Sequence, residues 1–368
     1  MSKNISRKQF LKNLGLSLAG ATTISSLGFP SVIIPKKKDK LGVALVGLGY
    51  YSGSLLAPAL QLTKECELKG IVTGTPSKIP NWQKKYGVED KNVYSYDTMH
   101  ELANNDDIDV VYVVTPSGLH ASFSIIAAEA GKHVWCEKPM ETSVEKCNSI
   151  IEAARKNKVQ LTIGYRMQHE PNTQTIIGYA KEKPYGNIKE IVAEAGFRAN
   201  HRYGNWRTIQ ELGGGAMFDM GVYSLNAARY VTGLEPIAVS ATIVNTRTQT
   251  YFEVDETTIF ELEFPDGSLA KCKTSFAEGL NTLSVTCDDG WYKLKPFQSY
   301  SRVQGENSDG LKFTPDPNNQ QARQMDNDSI AIKENKTPTV TGQEGLLDVR
   351  VCEAIFESAR KNGTRVQL

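Results

Sequence analysis

From Leu41 to Gly164, short apolar runs alternate with stretches whose apolar residues recur at helical spacing. The runs Leu41–Val46, Leu68–Val72, Val110–Val114, His133–Cys136 and Leu161–Ile163 predict strands. Between them, Ser54–Leu62, Ser77–Tyr86, Thr98–Ala103, Ser122–Ala130 and Val144–Lys156 predict helices. Such alternation builds βαβ units and a parallel sheet. The runs are apolar on both faces, as expected of strands covered by helices on each side. After Gly164 the rhythm changes. One helix, Asn172–Lys181, leads into alternating strands at Ile188–Gly196, Ile237–Val244, Val254–Phe264, Leu269–Phe276, Leu283–Cys287 and Trp291–Leu294. Pro265-Asp266-Gly267 and Asp288-Asp289-Gly290 supply turn chemistry between them. Residues 298–320 read as a long loop, and Gln320–Asn335 and Glu344–Asn362 as closing helices. The pattern predicts an α/β chain: a leader over 1–40, a doubly wound domain over 41–164, and an α+β domain over 165–368 with a mainly antiparallel sheet.

Composition changes little in this picture. The 368 residues are 40% hydrophobic and 23% charged, ordinary for a soluble protein with two cores. Charge is uneven: residues 1–40 hold eight Lys or Arg against one Asp, so +7 of a formal +1, leaving −6 for the rest. A mildly acidic body gives no reason to expect nucleic-acid binding. The basic end has a specific form. Ser6-Arg7-Lys8-Gln9-Phe10-Leu11-Lys12 resembles the twin-arginine export motif, with Lys8 in place of the second arginine. The apolar stretch after it, Leu14–Leu27, is too weakly hydrophobic for a stable membrane span. The expectation is export of a folded protein to the periplasm; a non-functional signal would leave it cytoplasmic. Six cysteines without C-x-x-C spacing predict buried free thiols, and five histidines without ligand spacing predict no metal.

Candidate chemistry gathers where strands end. Val46-Gly47-Leu48-Gly49-Tyr50-Tyr51-Ser52-Gly53 follows a strand and opens a helix, the context a dinucleotide fingerprint requires. Gly47 permits the tight turn, Gly49 lets backbone approach a pyrophosphate, and helix N-terminal amides face the anion. An NAD site places a carboxylate at the end of the second strand to accept from the ribose 2′-hydroxyl. Here that position is Thr73, followed by Gly74-Thr75-Pro76-Ser77-Lys78. Hydroxyl, amide and lysine all donate to a 2′-phosphate, so NADP is favoured over NAD. Thr115–His120 ends the third predicted strand, on the edge where ligands bind.

Glu137-Lys138-Pro139-Met140 ends the fourth. A lysine aimed into the cleft can polarise a substrate hydroxyl or hold a tyrosinate; a salt bridge with Glu137 is the plainer alternative. Gly213-Gly214-Gly215 then opens a helix on which Asp219 and Tyr223, spaced i,i+4, share a face that Asn226 extends. A carboxylate and a phenol there suit proton transfer; a capped helix with a core tyrosine is the alternative. Lowering a phenol from about 10 to about 7 takes roughly 4 kcal/mol. One ammonium about 4 Å away supplies that much at an effective dielectric of about 20. Tyr165-Arg166 and Asn205-Trp206-Arg207 can stack on a sugar or a nicotinamide, or brace an interdomain joint.

These segments resemble the glucose–fructose oxidoreductase/inositol dehydrogenase (Gfo/Idh/MocA) family, within it the glucose–fructose oxidoreductase branch. The matching stretches are G-L-G-Y-Y at 47–51, T-G-x-x-x-K at 73–78, G-K-H-V-W-C-E-K-P-M at 131–140 and G-Y-R at 164–166. W-R at 206–207, G-G-G-x-x-x-D-x-G-x-Y at 213–223, L-N-x-x-R-Y at 225–230 and G-x-E-P-I at 233–237 continue the match. The resemblance implies a Rossmann domain, an open-faced sheet domain that pairs in homo-oligomers, and a nicotinamide nucleotide held through turnover. It assigns proton handling to Lys138 and Tyr223 with Asp219 beside them. It places Gly47, Gly49, Tyr50, Thr73, Lys78, Tyr96, Pro116, His120, Glu137, Lys138, Arg166, Trp206 and Arg207 around the cofactor. Tyr165, Asp219, Tyr223 and Asn226 are the substrate-side candidates. Residues 167–172 and 197–205 find no firm counterpart, so the sugar is open. The expected activity is NADP-dependent oxidation of an aldose at C1 to a lactone, a second sugar reoxidising bound NADPH. The rival readings are a nicotinamide-assisted glycosidase and a non-catalytic sugar or nucleotide sensor.

Overall fold

A computed structural model describes residues 38–368, of which Asp39–Leu368 form one compact unit. The export-like motif at 6–12 lies outside the described residues. The first sheet is parallel, with strands β1 (Leu41–Val46), β2 (Cys66–Val72), β3 (Val93–Tyr94), β4 (Val110–Val113), β5 (His133–Cys136) and β6 (Leu161–Ile163). Their spatial order is β3-β2-β1-β4-β5-β6. Every residue of β1 is buried, which is why the run is apolar without alternation. β1 pairs with β2 on one side and β4 on the other, so the chain reverses its winding between β1 and β4. A crevice opens above such a switch point. Helices α1 (Ile79–Tyr86), α2 (His120–Glu129) and α3 (Val144–Asn157) connect these strands. Ser143 caps α3 by accepting from the Lys146 amide.

Helix α4 (Pro171–Glu182) starts on a proline and on Glu170, whose carboxylate accepts from the Thr173 amide at 2.7 Å. Strand β7 (Ile188–Gly196) begins the second sheet, and α5 (Val222–Thr232) packs against it. Strands β8 (Ala238–Val244), β9 (Thr257–Glu263), β10 (Leu269–Ser275), β11 (Leu280–Cys287) and β12 (Trp291–Leu294) extend the sheet. β7 runs parallel to β10; the remaining pairings are antiparallel. Phe260 and Leu262 of β9 point inward while Ile259 and Glu261 point out, the alternation of a sheet covered on one face. Helices α6 (Gln320–Lys333) and α7 (Gly342–Arg360) close the fold, and α7 lies on β8. All six cysteines are buried and free, as their spacing predicts. Among the described residues no helix is long and apolar enough to cross a membrane.

Three local expectations are corrected. The segment read as a loop over 298–320 contains β13 (Gly305–Asn307) and β14 (Lys312–Phe313), too short and polar for periodicity to reveal. β3, also two residues long, is missed for the same reason. The helix expected over Ser54–Leu62 is a π turn, Ser52–Leu56, followed by Ala57–Ala59.

Candidate active site

The glycine turn sits at the winding reversal. Gly47 has φ +90°, and a Cβ there would come within 2.8 Å of the Val114 carbonyl oxygen, so both conformation and space demand glycine. A Cβ on Gly49 would meet nothing within 4 Å, so the turn is open above that residue. Tyr50 beside it is 73% exposed. Ser52 occupies the third glycine position of the fingerprint; buried, it donates its hydroxyl to the Gly47 carbonyl and fixes the turn. Lys78 reaches back from the loop after β2 and donates to the Leu48 carbonyl at 2.7 Å, bringing an ammonium to the turn. Thr73 is buried and its hydroxyl accepts from the Thr75 amide at 3.0 Å. Tyr96 covers this corner: its ring lies 4.6 Å from that of Phe123, and a Cβ on Gly74 would fall 2.7 Å from it.

The end of β4 supplies the next wall. Thr115 Oγ1 is buried and has no partner among the described residues. Pro116 leads into the turn Ser117–Leu119, which packs so tightly on the turn Gln210–Leu212 that a Cβ on Gly118 would lie 2.2 Å from the Glu211 carbonyl oxygen. His120 is a strut. Its two ring nitrogens face the Pro139 and Thr115 carbonyls at 2.8 and 2.9 Å, while burial depresses its basicity. It braces the Thr115 and Pro139 loops against each other and turns neither nitrogen toward the crevice.

At the tip of β5, the buried Glu137 accepts a 2.6 Å hydrogen bond from the Tyr112 hydroxyl. A Cβ on Gly164 would fall 2.7 Å from that carboxylate, which explains glycine there. Burial pushes the Glu137 carboxyl up, against the pull of Tyr112, Lys138 and Arg166. Lys138, joined to Pro139 by a cis peptide, turns its ammonium to the second sheet's side. Its Nζ donates to the Asp219 carbonyl oxygen at 2.7 Å and lies 4.5 Å from the centre of the Tyr223 ring. It makes no ion pair with Glu137; only its backbone amide donates there.

Asp219 lies in a π turn, Met217–Gly221, that precedes α5. An i→i+5 turn breaks the i,i+4 alignment that the spacing of Asp219 and Tyr223 implies. The Asp219 carboxylate instead accepts from Arg207 Nε at 2.8 Å, and the Arg207 guanidinium stacks on Trp206 at 4.3 Å. Asp219 thus orients Lys138 through its backbone and Arg207 through its side chain. The glycine run serves protein contacts. A Cβ on Gly213 would strike Ser117 and Thr142, one on Gly214 the Arg207 backbone, and one on Gly215 the Asp255 carboxylate.

Arg166 is the hub behind the couple. Buried, it lies 5.4 Å from the centre of the Tyr223 ring and 4.7 Å from that of Tyr300, and it donates to the Gln298 carbonyl at 3.0 Å. Tyr51 stands 6.0 Å from Tyr300. Burial pushes both phenols up. Tyr51 and Tyr300 were not singled out from the sequence. Tyr51 was visible inside the fingerprint; Tyr300 sits in the polar 298–304 segment, where no periodicity points to it. Two substrate-side candidates go elsewhere. The Asn226 amide is used at both ends, accepting from Gln168 and donating to Asp348, each at 3.0 Å. Tyr165 is buried beside Asp348, Cys352 and Arg229, and burial and the Asp348 carboxylate push its phenol up.

These residues fit a nicotinamide dinucleotide. The turn is open at Gly49, residues 73–78 bring a lysine and no carboxylate to the end of β2, and the orphaned Thr115 hydroxyl waits on the same edge. Comparison with known proteins agrees. Residues 41–165 match the description "Oxidoreductase family, NAD-binding Rossmann fold", and residues 173–293 match the "GFO/IDH/MocA C-terminal domain". The chain is 27% identical over 336 residues to a D-xylose 1-dehydrogenase [NADP(+)] of Haloarcula marismortui, covering 87% of this chain and 91% of that protein. It is 25% identical to the D-glucoside 3-dehydrogenase of Escherichia coli, covering 89% of this chain and 97% of the other. The crystal structure of an aldose–aldose oxidoreductase from Caulobacter crescentus superposes with a TM-score of 0.86 at 37% identity, over 89% of this chain and all of that one.

Proposed function

The chain belongs to the GFO/IDH/MocA oxidoreductase family, and on that premise we propose that it oxidises an aldose at C1 to the lactone with tightly held NADP, a second sugar then reoxidising the NADPH. The coarser activity, NAD(P)-dependent oxidation of a sugar, follows from the named relatives. One observation carries the finer reading: an ammonium from the parallel sheet meets a phenol from the second sheet's helix at 4.5 Å, beside the glycine turn. Gly47, Gly49, Thr73, Lys78 and Thr115 would hold the nucleotide. Bound there, the nicotinamide supplies the hydride acceptor.

The chain's own residues do the proton work. Tyr223 as the phenolate takes the proton of the anomeric hydroxyl and becomes the neutral phenol as hydride leaves C1, and the Lys138 ammonium stabilises the phenolate before that transfer. The Asp219 carbonyl holds that ammonium against the ring, so little reorganisation is needed during turnover. Arg207 pairs with the Asp219 carboxylate, so the anion nearest in sequence to the phenol is partnered by a cation rather than left to oppose ionisation. Export through the motif at 6–12 belongs to the same proposal, because a protein that keeps its nucleotide needs no free supply outside the cytoplasm. So does pairing of two copies through the outer face of the second sheet, where Ile259 is 46% and Val244 44% exposed.

Denaturing the purified protein and identifying the released nucleotide tests the cofactor; NADP or NADPH at near one per chain is expected. Incubation with aldoses should reduce the bound nucleotide and yield a lactone. A 3-keto sugar, or release of an aglycone without net redox change, would overturn oxidation at C1.

A further inference from the structure

In the segment that leads to Trp206 and Arg207 the surface changes character. Tyr203 is 55% and Phe252 61% exposed, and their rings lie 4.8 Å apart at 34°. Water-facing aromatic pairs are costly on a soluble surface and mark contacts with something else. This pair is rigid. The Tyr203 hydroxyl donates to Glu253 Oε1 at 2.8 Å, and Glu253 Oε2 accepts from the Gln210 amide at 3.1 Å. Beneath it, Arg247 ties the two loops together by donating to the Ala199 and Phe276 carbonyls and by pairing with Glu256. His201, two residues before Tyr203, is wedged 5.0 Å from the Phe276 ring.

The pair is also joined to the site. Three residues after Tyr203 comes Trp206, with Arg207 stacked on it and bonded to Asp219, whose carbonyl holds Lys138. Followed contact by contact from Tyr223, the links run from the Lys138 ammonium to Asp219, to the Arg207 guanidinium on the Trp206 indole, and three residues back to the Tyr203 ring, whose hydroxyl holds Glu253 and whose face meets Phe252. We propose that the Tyr203–Phe252 platform is a glycosyl subsite, and that the substrate is an oligosaccharide whose reducing-end aldose enters the catalytic couple while the next sugar lies on the rings. A pyranose has an apolar C–H face suited to an aromatic ring and a rim of hydroxyls suited to Glu253. This deepens the proposed aldose oxidation and rests on it. A second copy of the chain would bury the rings but would find no use for the continuity with Lys138.

The test compares kcat/KM for xylobiose against xylose, and cellobiose against glucose, in the wild type and in Tyr203→Ala and Phe252→Ala. Expected is a disaccharide preference in the wild type that each variant lowers by about 2- to 10-fold, the range of a single aromatic contact. Monosaccharide turnover should stay unchanged, which also certifies folding of the variants. Equal efficiency for mono- and disaccharides, unmoved by either substitution, would overturn the subsite and leave aldose oxidation standing. A shift in oligomeric mass on substitution with no change in the disaccharide ratio would assign the rings to a second copy and overturn it too. Failure to oxidise any aldose would remove the reading beneath.

Discussion

Replacing Lys138 by Met keeps the length of the side chain and removes its charge and its donors. The ammonium lies 4.5 Å from the Tyr223 ring centre. Taking that ring-centre distance as the charge separation, a unit charge would stabilise a phenolate by about 4 kcal/mol at an effective dielectric of about 20. Lys138 is partly exposed, so solvent screening trims this, and about 3 to 4 kcal/mol is the working figure. At about 1.4 kcal/mol per decade, turnover should fall about 10²- to 10³-fold. The assay is single-turnover reduction of the bound nucleotide by aldose, with nucleotide content measured on the same sample. Loss of activity with full occupancy is expected, and Tyr223→Phe should do likewise. Raising the pH should restore part of the rate in the lysine variant, because hydroxide then does what the ammonium did, and none in the phenylalanine variant. A Lys138→Met protein with full nucleotide and more than a tenth of wild-type turnover would refute the ammonium–phenol mechanism. Equal high-pH rescue of both variants would remove the phenol from it.

Three further outcomes follow from specific contacts. Thr73→Asp puts a carboxylate at the end of β2, and the ratio of NADP to NAD affinity in nucleotide-stripped protein should fall at least about 10-fold; an unchanged ratio would mean that Thr73 and Lys78 do not read the 2′-phosphate. Gly215→Ala should cost about 3 kcal/mol or more in denaturant unfolding, because a Cβ there lies 2.1 Å from Asp255 Oδ1 on a backbone at φ +104°; wild-type stability would refute the packing. Burial lifts the Asp255 carboxyl from 3.8 to about 6, so its contribution is fully present below about pH 4 and is lost as pH rises through 6. Asp255→Asn should therefore gain up to about 3 kcal/mol relative to wild type at pH 8 compared with pH 4, read by denaturant unfolding at both values, and a pH-independent difference would sink the assignment.

Apolar runs were legible: β1, β5, β6, β7 and β12 fall where the runs place them, and apart from the π turn Ser52–Leu56 in place of Ser54–Leu62 and a 3₁₀ turn, Met99–Asn104, in place of Thr98–Ala103, the helices expected between and after the strands miss by a residue or two. The two-residue strands β3 and β14 have no period to read, and the three residues of β13, Gly-Glu-Asn, hold no apolar side chain to mark them. Chemistry at strand ends was legible for a related reason. Gly47 directly follows β1 and Lys138 comes two residues after β5, and topology alone delivers strand ends to one edge. Roles inside helices were less secure. The Asp219–Tyr223 spacing assumed an α-helix, and the π turn at Met217–Gly221 redirected the carboxylate to Arg207. The contacts that demand the glycine run were equally hidden: its Cβ positions are filled by Ser117, Thr142 and Asp255, remote in sequence, and by the Arg207 backbone. His120 and Asn226 show the same limit: side chains with open valences on paper are fully employed by partners that only folding supplies.

The couple depends on the joint between the sheets. Lys138 hangs from β5 and Tyr223 from α5, so no local structure fixes their separation. The joint is apolar first: one continuous core includes Val113, Cys136 and Met140 from the parallel sheet with Val222, Leu225 and Ile355 from the other side. Such a core resists shear because its side chains interdigitate at crystal-like density. Helix α7 then adds directional links. Its Glu353 accepts from the Val144 amide at 2.9 Å, and its Asp348 binds Asn226 at 3.0 Å and Arg229 at 2.7 Å, one and two turns beyond Tyr223 on α5. Buried ion pairs contribute little net stability, because desolvation offsets the attraction, but removing either partner is costly. The Arg229–Asp348 pair therefore makes better sense as a device for placement: it holds the phenol's helix in one register against the helix that also clamps the start of α3. Tyr165 and Asn226, expected to touch sugar, lie in that network, and so belong to what sets the phenol's position.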